Sequence, residues 1–543
     1  MVPLDTTPRT HVLFFDMQEI ANLNNLRRTV SEAKKHPLNP VLPLGGIDEW
    51  DSVEAAPWVG RTVLYDDQDR LFKAWYVGIN LNFTDHYVPY PSGSPKGEGR
   101  LLPLQEYSTG YATSHDGVRW DKPKLGLYEF EGSKENNICS RAWGSVLKDL
   151  AEEDPAKRYK FISKGPDRDQ YGIYRDIRLN FSSDGVHWNK GPKIEMPQWG
   201  GVDGPLDRVG RPNDAGRCAT APDIVAFYRD DQDADSQRRY KLVWQTKDKA
   251  NKPGPGSVRV KNLAWSSDAV TWTACPANPF LTPNDSTEQE NHFLSIHPYR
   301  GWSIMLYEYG WYHPTPRAHS ARRYNGLDLV MNGENAGYFV YCSDIRLAVS
   351  RDGVDYTRIE PQQRVISRGE AGAWDAGLLV VSDKVAIKDD EIYLFYCGNG
   401  QESGGWRRRR GSRVSRMGFA TLGIDRFTYL ETCDGDSYGE ALTTEIKVQD
   451  ADQAELVINL SDTDPIRSWV EIDVLDADRN EPIAGYACDD CAIIDEDSLA
   501  APVRWKGGQT LGGVSCQNIQ LRFRIYGAAK LYSFWFSKAN AGA

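Results

Sequence analysis

Four copies of one short pattern constrain this chain more than anything else in it. They are Ser114-His-Asp116-Gly117-Val-Arg-Trp120, Ser182-Ser-Asp184-Gly185-Val-His-Trp188, Ser266-Ser-Asp268-Ala-Val-Thr-Trp272 and Ser350-Arg-Asp352-Gly353-Val-Asp-Tyr356. A degenerate fifth, Thr421-Leu-Gly423-Ile-Asp-Arg-Phe427, follows. A unit that returns every ~70–85 residues defines a repeat architecture. Asp-Gly between β-type runs marks a tight turn, because glycine reaches positive φ without steric cost. The aromatic residue three positions on is placed to pack the outgoing strand.

The stretch before each copy repeats as well. Leu71–Tyr76, Arg158–Ser163, Arg239–Trp244, Gly301–Leu306 and Glu391–Tyr396 are alternating, aromatic-rich runs, each preceded by a polar turn. Before each turn lies another apolar run: Thr62–Tyr65, Gly144–Leu147, Asp223–Tyr228, Phe293–Ile296 and Leu378–Val381. Two strands, a variable loop, a third strand and the Asp-Gly hairpin make a four-stranded unit. The expected fold is all-β: a five-bladed β-propeller over residues 1–437, followed by a β-sandwich over 438–543. Residues 19–30 read as a helical stretch ahead of the first blade.

Net charge and cysteine usage narrow the functional classes. At a formal net charge of −12 the chain repels phosphate backbones, so no nucleic-acid partner is expected. No apolar run approaches the ~18 residues of a membrane span, so no membrane partner is expected. The N-terminal Met1-Val-Pro-Leu-Asp5 lacks a signal-peptide pattern, and the nine cysteines are odd in number. Both point to a cytoplasmic protein with reduced thiols. Cys488-Asp-Asp-Cys491 has no second pair, so neither a metal nor another cofactor is expected.

In a propeller the innermost strands and their entry loops line one central pocket. Acids just before a first strand are therefore the candidates for chemistry. They are Glu54 in the first blade, Asp223 in the third, Glu290 in the fourth and Asp375 in the fifth. Two carboxylates flanking a bond, with a third tuning them, equip a site for glycoside cleavage. Glu290 is the expected general acid, with Asp375 or Glu54 as base or nucleophile. Trp58, Asp214, Arg217, Asn291, His292 and Trp374 are the expected substrate contacts, with Trp374 stacking on a sugar face.

Five strand repeats, Asn39-Pro40-Val-Leu ahead of the first, the Ser-x-Asp-Gly-x-x-Trp hairpins and a C-terminal run of strands together resemble the five-bladed glycoside hydrolases. The resemblance is nearest to glycoside hydrolase family 32, a propeller joined to a β-sandwich. That family's Asn-Asp-Pro-Asn motif is absent here. The resemblance implies hydrolysis of a small oligosaccharide, exo-acting and on a furanoside. Two alternatives are a phosphorylase or transglycosylase on the same fold and a non-catalytic sugar-binding propeller. A basic, aromatic insertion after Tyr307 would hold the phosphate in the first of these.

Overall fold

The structure, a computed structural model, describes residues 11–58, 60–80, 85–89, 99–103, 108–165, 177–194, 223–248, 258–284, 288–314, 339–400, 415–435, 437–447, 454–508, 511, 514 and 516–538. The described residues are all-β, with three 3-10 turns and no α-helix, so no helix among them is long and apolar enough to cross a membrane. The chain divides into two compact units. One comprises residues 33–357 and 366–421; the other comprises 1–32, 358–365 and 422–543.

The first unit holds five antiparallel meanders. Their opening pairs are Thr62–Asp66 with Leu71–Ile79, Trp143–Lys148 with Tyr159–Lys164, Asp223–Arg229 with Tyr240–Asp248, Leu294–Tyr299 with Trp302–Pro314, and Leu378–Val381 with Glu391–Asn399. The third strands are Ser108–Ser114, Ile177–Ser182, Val258–Ser266, Phe339–Ser350 and Ser415–Gly423. In the fifth meander the outermost strand comes from the front of the chain, where Lys34–Lys35 pairs with Ser415–Gly423. The run Tyr307–His313, read as part of an insertion, continues the long strand Trp302–Pro314.

Each repeated serine ends a third strand, opposite Phe72, Tyr159 and Tyr240 at one register in the first three copies and opposite Ser303, one residue further on, in the fourth. The turn that follows is built by the aspartate. Asp116 Oδ1 accepts the N–H groups of Val118 and Arg119, both at 2.8 Å, and Gly117 takes φ +77°. Asp184, Asp268 and Asp352 accept the same pair of amides. These are aspartate-capped turns, with the carboxylate replacing backbone partners.

A second repeated device joins neighbouring meanders. Asp66, at the end of a first strand, accepts Lys73 Nζ at 2.7 Å, Lys148 Nζ at 2.5 Å and the Tyr159 hydroxyl at 2.9 Å. One repeat on, Asp149 accepts Lys160 Nζ at 2.9 Å, Arg229 Nη1 at 3.4 Å and the Tyr240 hydroxyl. The Tyr-Lys pairs of the second strands are thus staples: lysine binds its own meander's aspartate and tyrosine the previous one's. First strands of successive meanders also touch: Val146 N–H donates to Thr62 Oγ1 (2.9 Å) and Phe227 N–H to Ser145 Oγ (3.0 Å). In the fifth meander Leu379 N–H donates to Ser343 Oγ (3.2 Å), on the third strand of the fourth. Val63 N–H then donates to Ser382 Oγ at 2.9 Å, linking the first meander to the fifth. The third, fourth and fifth first strands share one apolar core through Val225, Leu294, Ile296, Leu378 and Val380.

The other unit packs two six-stranded sheets on one core that includes Leu456, Ile458, Ile472, Val474, Phe523 and Phe534. Residues 19–30, expected to be helical, are the strands Ile20–Asn24 and Leu26–Val30 of this unit. The apolar pair Leu26 and Val30 fits a helical i, i+4 spacing. It fits a strand's period of two equally well, and pairing with Thr428–Thr432 decides for the strand.

Candidate active site

One transverse register row gathers the acids. Glu54 opens the short strand Glu54–Ala56, paired antiparallel to Ile79 and parallel to Ser415. Ser415 Oγ accepts Asn399 Nδ2 at 3.4 Å. Asn399 pairs with Leu378, Leu378 with Ser343, Ser343 with Gly310, and Gly310 bridges to Glu290. Paired residues project to one face of a sheet, so Glu54, Ser415, Asn399, Ser343 and Glu290 share a face. All five are buried, Glu54 to 1% exposure.

The loop after Ala56 folds this row onto the third and fourth meanders. Trp58 Nε1 donates to Glu54 Oε1, and the indole meets Phe293 edge-on at 6.5 Å. Gly60 takes φ +70° against the third meander; a Cβ there would lie 2.3 Å from the Ile224 carbonyl oxygen. Only glycine admits that approach. Glu54, Asp223 and the segment Glu290–Phe293 are thereby tied to one loop.

Around Glu290 lies a buried charged cluster. Glu290 accepts Arg259 N–H at 2.9 Å and its guanidinium at 3.1 Å. Asn291 accepts Lys261 Nζ through its side chain (2.6 Å) and backbone (2.8 Å), and its amide reaches Glu288 at 3.4 Å. Glu308 accepts the N–H groups of His292 (3.2 Å) and Phe293 (3.0 Å). Burial pushes the Lys261 ammonium down to about 7, against the opposing pull of Glu290. Asp223, the most open of the acids, accepts Lys164 Nζ at 3.1 Å and Gln245 Nε2 at 3.0 Å.

Asp375 and Trp374 occupy a different kind of place. Trp374 fills the space over Gly398 and Gly418, where a Cβ would come within 2.4 and 2.7 Å of the indole. It stacks on Tyr396 at 5.5 Å, so that ring face is not available to a sugar. Asp375 accepts Lys35 Nζ at 2.6 Å and the Tyr396 hydroxyl at 3.0 Å. The first meander contains the same assembly. Trp50 lies over Gly78 and Gly110, and Asp51 accepts Lys122 Nζ at 2.6 Å and the Tyr76 hydroxyl at 2.7 Å. A residue duplicated with all its partners is a clasp for the entry loop, which is where the structure puts Asp375. The signal was in the sequence as Gly45-x-x-x-x-Trp50-Asp51 and Gly369-x-x-x-x-Trp374-Asp375. Glu308 was also missed; an acid inside the apolar run Met305–Trp311 announces a buried, partnered carboxylate. Asp214 and Arg217 lie outside the described residues.

No protein-family model and no curated protein sequence matches the chain. Solved structures with a similar course of the backbone include one named glycoside hydrolase, 14% identical, covering 72% of this chain and 94% of that one at a TM-score of 0.42. Another, 13% identical with 73% and 94% covered and a TM-score of 0.40, belongs to the GH130 family of mannoside phosphorylases and glycoside hydrolases acting on β-1,2 mannosidic linkages in Candida mannan. A third is an N-acetylgalactosamine deacetylase from F. plautii in complex with blood group B trisaccharide, 14% identical, with 75% and 96% covered and a TM-score of 0.39. The proteins this chain is similar to in course are thus carbohydrate-active enzymes. At such identities the function has to be read from this chain's own residues.

Proposed function

We propose that the chain is a glycoside hydrolase built on a five-bladed β-propeller, the meanders being its blades. The observation that carries this is the register row that puts Glu54 and Glu290 on one buried face, with Trp58 and Asp223 tied to the same loop. Two buried carboxylates, one of them accepting an indole N–H, suit protonation of a glycosidic oxygen and stabilisation of an oxocarbenium-like centre. The roles differ from the sequence-based expectation. Glu290 accepts a guanidinium and a backbone amide, both of which favour its anion. It therefore serves as base or nucleophile, and Glu54, beside an uncharged indole donor, as the acid. Asp223 and His292 orient substrate hydroxyls. The substrate is a small oligosaccharide cleaved from its end, with a furanoside as the first choice to assay.

The test is sugar release from a panel of aryl furanosides, aryl pyranosides and short oligosaccharides, with and without phosphate. Glu54→Gln and Glu290→Gln should each lower turnover by roughly 10²–10⁴-fold with the fold intact. Near-wild-type rates in both proteins would defeat the assignment. Binding of sugars without turnover by the wild type would instead support a lectin-like propeller.

A further inference from the structure

The second unit carries a cavity of about 240 Å³, walled wholly by its own residues and sharing none with the proposed active site. Sheet register lays its floor. Glu431 opposes Arg27 on one neighbouring strand. On the other, Leu430 opposes Leu531, which puts Glu431 across from Lys530. Lys530 in turn opposes Ser461, the residue before Asp462. Leu430 and Leu531 belong to the apolar core, so Arg27, Glu431 and Lys530 share the opposite face. Across the cavity the charges therefore alternate: Arg27, Glu431, Lys530, Asp462.

Both ion pairs are closed before any ligand arrives. Arg27 Nε donates to Glu431 Oε1 at 3.0 Å, and Lys530 Nζ lies 3.0 Å from Asp462 Oδ2. The second oxygen of each carboxylate, Glu431 Oε2 and Asp462 Oδ1, accepts no hydrogen bond among the described residues. The rim is fixed as well. Thr432 Oγ1 donates to the Gly527 carbonyl at 2.8 Å and accepts Gly435 N–H at 3.0 Å, tying together the two turns that wall the cavity. Such a preformed concavity with a few convergent polar groups is the usual form of a small-molecule site.

The lining selects the class of ligand. The volume lies just under the ~300 Å³ at which drug-sized sites begin, room for one small ring. An anion would face Glu431, Asp434 and Asp462, and a cation would face Arg27 and Lys530. Among the described residues no three acids, thiols or imidazoles are grouped to hold a metal ion. Cys433 and Ala528 are the only apolar side chains in the wall, too few for an apolar ligand. A zwitterion would have to open both ion pairs. A hydroxyl donates once and accepts twice, so it can join a carboxylate and the neighbouring cation without parting them. We propose that this cavity is a second, non-catalytic carbohydrate site, taking one neutral sugar ring whose adjacent hydroxyls bridge Glu431, Lys530 and Asp462. It stands independently of the glycosidase reading.

Cys433, an exposed free thiol in the wall, is a built-in reporter. The experiment follows its alkylation by iodoacetamide in the full chain, read by peptide mass spectrometry. Glucose, mannose, fructose and arabinose are titrated, with alanine and inorganic phosphate as zwitterionic and anionic controls. Occupancy slows labelling as 1 + [L]/Kd, so a sugar at ten times its Kd should slow it about tenfold. The expected result is protection by at least one sugar and by neither control, lost in Lys530→Met and kept in Glu54→Gln. Should Lys530→Met fail to fold, Asp462→Asn carries the same comparison, since asparagine accepts the φ of +57° found there. Three results overturn the proposal: no sugar protects, a control protects as well as the best sugar, or protection is undiminished in both Lys530→Met and Asp462→Asn. Loss of protection in Glu54→Gln would also overturn it, by tracing the effect to the other site.

Discussion

Substituting Asp375 separates a clasp from a catalyst. In Asp375→Asn the amide keeps an oxygen for the Tyr396 hydroxyl, so that bond survives. What is lost is the charge-assisted bond to Lys35, whose side chain is 30% exposed against 4% for Asp375. A hydrogen bond to a charged group contributes about 1.5–3 kcal/mol. Water can take over part of the Lys35 ammonium, so the expected loss sits at the low end, about 1–2 kcal/mol. Asp375→Ala also strands the Tyr396 hydroxyl, which burial and the adjacent carboxylate keep fully protonated; its expected loss is about 3 kcal/mol. The duplicate gives an internal control. Lys122, partner of Asp51, is only 18% exposed, so Asp51→Asn should cost at least as much as Asp375→Asn.

Urea denaturation followed by tryptophan fluorescence measures these losses as a shift in midpoint at constant slope. Turnover per folded molecule is measured in parallel, at a urea concentration where both proteins are native. The expected outcome is a lower midpoint with turnover within about threefold of wild type. A loss of turnover of roughly 10²-fold or more, with an unmoved midpoint, would refute the clasp and return Asp375 to the catalytic set.

Three further outcomes follow from the same geometry. Burial alone would raise Asp66, but bonds from Lys148, Lys73 and Tyr159 outweigh it and hold the carboxyl well below its ordinary value. Its contribution is therefore complete above the unfolded value of about 3.9 and lost as pH falls through the folded one, so Asp66→Asn should flatten the acid limb of a stability–pH curve; an unchanged limb would count against the staple. Lys261, facing Glu290, Arg259, Glu308, Glu288 and Asn291, is held down to about 7 by burial. Between there and the unfolded value of about 10.4 the unfolded chain binds the extra proton, so wild-type stability should rise with pH over that window and Lys261→Met should remove the rise. Gly60→Ala meets both a positive φ and the Ile224 carbonyl; a loss of more than about 1–2 kcal/mol is expected in the same denaturation assay, and a neutral result would mean the loop does not cross to the third meander.

The strands were legible because most repeats carry two signals that agree, an alternating run and an aspartate-closed turn. Nine of the ten opening strands lie within a few residues of the sequence-based bounds, whereas the run Gly301–Leu306 belongs to a strand that continues to Pro314, through the stretch read as an insertion. The helical reading of 19–30 failed because Leu26 and Val30 fit both periods and only long-range pairing separates them. The rule that acids precede first strands picked out Glu54, Asp223 and Glu290, which the proposed site retains, but it carried no information on role. Whether an acid faces a guanidinium, as Glu290 faces Arg259, or a lysine and a tyrosine, as Asp375 does, depends on strands distant in sequence.

The repeats themselves supply the criterion that single-residue reasoning lacked. Leu71–Ile79 and Glu391–Asn399 are equivalent strands of nine residues. Tyr76 matches Tyr396, Gly78 matches Gly398, and the Trp50-Asp51 clasp matches Trp374-Asp375, each with equivalent contacts. Such matched positions are what building one more meander requires of any sequence. The match breaks at the residue paired with the last position of each strand. Opposite Ile79 stands Glu54; opposite Asn399 stands Leu378. A buried glutamate where its counterpart is an ordinary core leucine is not required by the fold, since the fifth meander forms without one. It costs desolvation that leucine would not. The same test removes Asp375, which has a counterpart, and retains Glu54, which has none. Chemistry in a repeat protein is to be sought where equivalent positions cease to be equivalent, and in this pair of meanders that position lies beside Ser415 and Arg416.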